Sequence, residues 1–230
     1  MEKILDKAWR FRGDIFAKES TLYQKLAHDG QSPKALMISC ADSRVVPELI
    51  TQAQPGDLFV CRNAGNIVPP FSQANGGVSS AVEYAVVALK VRDIVICGHS
   101  DCGAMKAFLH PDKLEEMPNV ATWLRHAHAA ESVVKSAYPK LEGHAKVRAL
   151  ALENVVAQIN HLRTHPSVAA ALARGELDLH GWFFEIDSGT ISALDGQTGQ
   201  FVEVSDNSPL PVALAGRQAA APQPLRALAR

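Results

Sequence analysis

An α/β fold is what this chain predicts: a central, mostly parallel β-sheet flanked by helices, with an N-terminal helical arm and a hairpin at the sheet edge. Two observations carry that expectation. The strand candidates are apolar throughout rather than alternating, which is the pattern of strands covered on both faces. They also alternate with helical stripes, and parallel strands need such crossovers. The 230 residues, 47% of them hydrophobic, are enough for one full core and too few for two unrelated domains. The expected organisation is a single domain over 1–205, with residues 1–30 as the arm, and a tail over 206–230.

Residues 2–28 predict one or two helices, because Ile4, Ala8, Phe11 and Ile15 recur at helical spacing and Asp14 offers a second start. The arm holds more apolar residues than a short terminal helix needs. It either clasps another subunit or packs on its own sheet. KALMIS (34–39) and DLFVC (57–61) are the first two strands. Over 76–90, Val78, Ala81, Val82, Ala85, Val86 and Leu89 form one apolar helical stripe behind a turn at Gly76 and Gly77. DIVICG (93–98) is the third strand, and a helix starts after HSDCG. Two further helices cover 119–137 and 147–163, the second burying Val147, Leu150, Ala151, Val155, Ile159 and Leu162. GWFFEID (181–187), the turn Ser188-Gly189 and TISAL (190–194) give the edge hairpin. From about Ser205 the chain is rich in Pro and Ala without a clear period, so the tail is either mobile or laid on a neighbour.

A net charge of -1 gives no reason to expect nucleic acid or an anionic membrane as partner. No apolar run approaches the roughly 18 residues of a spanning helix, and the N-terminus lacks the apolar run and cleavage site of a secretory signal. The expected location is the cytoplasm. There the four cysteines predict metal ligands or buried thiols rather than disulfides. Cys61 and Cys97 lie inside apolar strand runs and suit the core.

The other two do not. Cys40 follows the first strand in CADSR, and His99 and Cys102 follow the third in HSDC. In open α/β sheets, ligands bind at the carboxyl ends of the strands. Two thiolates and an imidazole, with room for a fourth oxygen ligand, match the donor set of a catalytic zinc. Such a zinc carries no net formal charge with its ligands, so its water should ionise less readily than at a tris-histidine site. Asp42 is placed to accept a hydrogen bond from that water, and Arg44 to hold Asp42 by a bidentate pair. The same geometry lets Asp42 ligate the zinc and close the site, so Asp42 is expected to alternate between the metal and Arg44, with rising pH favouring the open form. A purely structural zinc site would leave Arg44 unexplained, and a redox pair of Cys40 and Cys102 would leave His99 without a role. Most of His28, His110, His126, His128, His144, His161 and His165 are expected in solvent, and His180 as a strand-end hydrogen-bonding residue.

CADSR, RNAGNIVPP, GGVSSAVEYAVVALKV and IVICGHSDCGAM together resemble the β-class carbonic anhydrases in order and spacing. The match is clear from about Gln31 to Met105 and continues weakly through HGWFFEID. The resemblance implies zinc on Cys40, His99 and Cys102, a catalytic dyad of Asp42 and Arg44, and reversible hydration of CO2 to bicarbonate and a proton by a zinc-bound hydroxide. It also implies a homodimer or a higher homo-oligomer such as a tetramer, with arms wrapping the partner and the site near the subunit interface.

One branch of that family binds bicarbonate at an inhibitory second site through a Trp, an Arg and a Tyr. Their positions here hold Met37, Arg62 and Phe184, so the branch with an open site is the closer one. In it Gln31 would hydrogen-bond substrate, Phe59 and Tyr84 would lie near the pocket, and Ala64 would widen its wall. The Gly103 amide is placed to donate to bicarbonate. CO2 needs little more than an apolar slot, which Phe59, Ala64 and Tyr84 would form. A hydrolase of CS2 or COS, and a zinc protein that senses bicarbonate without catalysis, are the competing functions.

Overall fold

The computed structural model describes residues 1–72, 76–206 and 211–214. Its centre is a sheet of β1 (Ala35–Cys40), β2 (Leu58–Asn63), β3 (Asp93–His99), β4 (Asp178–Phe184), β5 (Ile191–Leu194) and β6 (Phe201–Glu203). The strand order is β2-β1-β3-β4-β5-β6. The first four run parallel, so Cys40, Asn63, His99 and Phe184 end at one side of the molecule. β5 and β6 return antiparallel.

The hairpin expected at the edge is therefore not the edge, because β6 lies outside β5. Asp195 makes that extra turn possible: its carboxylate accepts the amides of Gln197 and Thr198. Its other oxygen accepts the Val212 amide, and Leu214 donates to the Leu179 carbonyl and is buried. The described piece of the tail, 211–214, thus packs on its own chain. The rest of the tail call, 207–210 and 215–230, lies outside the described residues.

Helices α1 (Glu2–Phe11) and α2 (Ala17–Asp29) form the arm, joined by a π-helical turn over Arg12–Phe16. Asp14 therefore starts no new helix. Phe11, Phe16 and Tyr23 stack on one another, yet no arm residue is buried, and Ile4, Leu5 and Trp9 are exposed. Packing on its own sheet is not what the arm does. A short α3 (Pro47–Ile50) follows β1, and α4 (Gly77–Glu83) runs through a π-helical turn at Tyr84–Ala88.

Between β3 and β4 come α5 (Gly103–Phe108), α6 (Pro118–Leu124), α7 (His128–Ala137), α8 (Gly143–Leu162) and α9 (Pro166–Ala173). The single helix expected over 119–137 is broken by a 3-10 turn at Arg125–Ala127, and α9 was not anticipated. α8 is the axle of the fold. Val155 and Ile159 pack against Ile94, Ile96 and Leu179 of the sheet, each fully buried apolar side chain contributing roughly 1.5–3 kcal/mol. The helix comes this close because Gly98 and Gly181 face it: a Cβ at Gly98 would lie 2.7 Å from Val155 Cγ2, and one at Gly181 2.9 Å from Ile159 Cδ1. Met37, Val95 and Cys97 form a smaller cluster on the other sheet face with Leu58, Trp182 and Phe184.

Candidate metal centre

Cys40 ends β1, His99 ends the adjacent β3, and Cys102 caps the start of α5 after a tight turn. Asp101 makes that turn with a left-handed φ of 58°, which an Asp tolerates better than most residues. The ligating atoms of Cys40, His99 and Cys102 lie within 4.8 Å of one another, and all three residues are buried. The His99 Nδ1–H donates to the Ser100 carbonyl at 2.8 Å, which fixes the tautomer. Its Nε2 is buried without a hydrogen-bond partner and shares the cluster with the two sulfurs.

The two sulfurs compete for one proton. A hydrogen bond from Cys102 pulls the Cys40 thiol down, with help from His99 and the Gly65 amide and against burial. The same hydrogen bond, with burial and the charge on Cys40, pushes the Cys102 thiol far up. A divalent cation resolves this frustration by taking the place of the shared proton, since a coordinating thiol is deprotonated. The orphaned His99 lone pair and the crowded sulfur pair therefore fit zinc. Cys97 behaves differently: fully buried in the sheet, its thiol is pushed up to about 12, first by desolvation. Burial also raises the Cys61 thiol; Cys97 sits in a buried cluster, and Cys61 is half-buried against the main core.

Asp42 is held by Arg44 through a two-pronged ion pair, Nε to Oδ1 at 2.9 Å and Nη2 to Oδ2 at 2.8 Å. The Arg44 amide adds a third bond to Oδ1 at 3.0 Å. Arg44 thereby holds the Asp42 carboxyl far below the usual carboxylate range. Arg44 is itself steadied by Asp101, whose carboxylate accepts Nη1 at 3.0 Å and whose carbonyl accepts Nη2 at 3.3 Å. Lys106 and then Arg44 draw the Asp101 carboxyl down. Asp101 was passed over in the sequence, although an acid between two ligands was the available signal. Arg62 secures the backbone beneath, donating to the Cys40 carbonyl at 3.1 Å and the Asp42 carbonyl at 2.8 Å.

A carbonic anhydrase family model matches residues 35–191. The chain belongs to the β-class carbonic anhydrase family. These are zinc enzymes that hydrate CO2. A carbonic anhydrase of Pseudomonas aeruginosa is 52% identical over 207 residues, spanning 90% of this chain and 93% of the relative. Carbonic anhydrase 1 of Escherichia coli O157:H7 is 51% identical, spanning 90% of this chain and 94% of the relative. The solved beta-carbonic anhydrase CcaA superposes with a TM-score of 0.88 at 42% identity, covering 94% of this chain and 95% of its own. A tetrameric beta-carbonic anhydrase of Sordaria macrospora gives 0.76 at 34% identity, covering 84% and 95%.

The remaining residues singled out for a carbonic anhydrase pocket divide into two groups. Ala64 and Gly103 lie beside the ligands: Ala64 precedes Gly65, whose amide donates to Cys40 Sγ at 3.4 Å, and Gly103 follows Cys102 at the start of α5. Gln31, Phe59 and Tyr84 do not. Phe59 pairs with Leu36, about 13 Å along the strand from Cys40. Tyr84 stacks on Phe59 at 5.9 Å and is exposed, and Gln31 precedes β1 at the same end. Within one chain these three and the metal ligands form no common pocket. Among the histidines, His180 bonds Asp93 at 2.8 Å at the strand start, as expected. His161 and His165 depart from the solvated expectation: they bond the carbonyls of Val68 and Pro69 at 2.8 and 3.0 Å, and His165 is buried. Among the described residues, no helix is long and apolar enough to cross a membrane.

Proposed function

We propose that this chain catalyses the reversible hydration of CO2 to bicarbonate and a proton, with Cys40, His99 and Cys102 as the zinc ligands and Asp42 and Arg44 as the orienting pair. The observation that carries this reading is the buried Cys2His cluster with an ionised, Arg-clamped carboxylate on the same loop as its first ligand. Bound zinc supplies the Lewis acidity that lets a water be deprotonated near neutral pH. Asp42 is acceptor-only while ionised, so it would accept a hydrogen bond from the attacking oxygen and turn that oxygen's lone pair toward the CO2 carbon. Arg44 keeps that carboxylate charged and turned from the metal, which leaves the fourth position open. Gly103 offers its amide to a product oxygen, and Ala64 leaves space for an apolar, linear substrate.

Gln31, Phe59 and Tyr84 serve a second copy's centre in this reading, because they cannot reach their own. The exposed apolar arm supports the same assembly, and the tetrameric Sordaria macrospora relative gives a precedent. The open-site branch is supported by the side chains in the inhibitory-site positions. Met37 is buried, Phe184 packs against its cluster, and Arg62 is engaged with backbone carbonyls. We assign the protein to the cytoplasm.

The test is stopped-flow CO2 hydration with zinc content measured in the same samples. Wild type should turn over CO2 in preference to CS2, and Asp42→Asn should keep its zinc and lose about 100-fold or more in kcat. A fully zinc-loaded wild type that is inactive at pH 8.5 would replace catalysis with bicarbonate sensing. The rate should climb from pH 6 to 9. Asp42 stays ionised across that window, so the climb reports the attacking water and not this carboxylate.

A further inference from the structure

Residues 63–69, between β2 and α4, pass directly under the metal ligands. Gly65 in this loop is wedged against the helix that Cys102 caps: its φ is 80°, and a Cβ there would lie 3.0 Å from Met105 Cε and 3.2 Å from Ala104 Cβ. In this placement the Gly65 N–H donates to Cys40 Sγ at 3.4 Å. The loop does not hold itself in place alone. Asn63 bridges Ile67 with both ends of its amide, at 2.9 and 2.7 Å. Trp123, His161 and His165 bond the carbonyls of Ala64, Val68 and Pro69, and two further side chains reach the loop from the middle of α8.

Asn154 donates Nδ2 to the Gly65 carbonyl at 2.9 Å. One turn later, Gln158 donates Nε2 to Asn154 Oδ1 at 2.8 Å and accepts the Val68 amide on Oε1 at 2.9 Å. Gln158 Nε2 also reaches the His126 carbonyl at 3.2 Å. Both side chains are completely buried. Two amides in the core of a central helix are costly unless fully used; here Gln158 ties Asn154 to Val68 and His126, and Asn154 carries the bond to the residue whose N–H faces a metal ligand.

We propose that Asn154 and Gln158 are positioning residues of the metal centre: by fixing the Gly65 carbonyl they fix the residue whose own N–H lies against the Cys40 sulfur, and so set how tightly the metal is bound. An N–H on a ligating sulfur withdraws charge from it and fixes its direction, and outer partners of this kind typically change metal affinity 10- to 100-fold. The inference rests on Cys40, His99 and Cys102 being the ligands.

The experiment compares wild type, Asn154→Ala, Gln158→Met and Val147→Ala. Gln158→Met conserves volume and should fold; Val147→Ala is a control that shortens a buried α8 side chain and touches no loop bond. Zinc affinity is measured by chelator competition, and the sulfur-to-metal charge-transfer band by absorbance of the cobalt-substituted protein. The expected result is about tenfold weaker zinc binding and a displaced band for Asn154→Ala, a smaller change of the same sign for Gln158→Met, and neither for Val147→Ala, whatever its melting temperature. Wild-type affinity and an unmoved band in both amide variants would overturn the proposal and leave the two residues a stability role only. Equal loss in Val147→Ala would overturn it as well. A wild type that binds no stoichiometric zinc would overturn the ligand assignment itself, a result that the variants' ratio cannot imitate.

Discussion

Residues 63–69 and the arm α1–α2 are held in opposite ways. The loop has little regular structure, yet Asn63, Trp123, Asn154, Gln158, His161 and His165 all bond its backbone. The arm is almost wholly helical, yet none of its residues is buried and its rings touch mainly each other. Regular hydrogen bonding is thus no measure of how firmly a segment is placed. What places a segment is the set of contacts it makes outside itself. In the proposed reading the difference also divides the function: Cys40, His99 and Cys102 come together within one chain, while Gln31, Phe59, Tyr84 and the arm would need a second copy.

The most damaging change should be at the gripped end. Cys40→Ser or His99→Ala should remove zinc, measured by elemental analysis, and with it all detectable CO2 hydration. Next comes the free end. Trp9→Glu should at least halve the assembled mass in sedimentation while leaving the zinc content per chain unchanged, which would confirm that the two regions serve different contacts. An unchanged mass would mean that the arm's exposed face has no partner in the assembly.

A smaller effect comes from the one acidic residue buried in α8. Burial raises the Glu153 carboxyl, with the Tyr138 hydroxyl opposing. Its folded-state value lies above the unfolded one, so its contribution to stability is present at low pH and is lost as pH rises through the folded value. Glu153→Gln should therefore raise the melting temperature at pH 8 and not at pH 4. The smallest effect tests a single tether of the loop. Trp123→Phe removes the indole bond to the Ala64 carbonyl, 2.9 Å long, and should cost about 1 kcal/mol in denaturant unfolding with little change in turnover.

The ligands could be read from the sequence because their signal is local. Cys40 and His99 end adjacent apolar strands, Cys102 follows His99 by one tight turn, and two strands that end on the same side bring their termini together. The ion pair of Asp42 and Arg44 was legible for the same reason, the two being separated by one residue. Asn154 and Gln158 were not. On a helix, polar residues one turn apart look like a solvated stripe, and α8 carries buried residues on several sides. Only the packing shows that this pair faces inward. His161, near the end of α8, escaped for the same reason. β6 was missed because a three-residue strand has too short a pattern, and the π turns at Arg12–Phe16 and Tyr84–Ala88 leave no mark on helical periodicity at all.

The bare backbone at Gly98 and Gly181 acts as a gauge block for the whole molecule. Val155 and Ile159 rest directly on it, so the height of α8 above the sheet is set by two missing methyl groups. A single added carbon at either point would jack the helix upward and draw the Asn154 amide away from the Gly65 carbonyl. A lesion that touches neither metal nor substrate would then detune the sulfur beside the ion, and a chemist assaying such a variant would meet a metal defect whose cause lies on the far side of a helix.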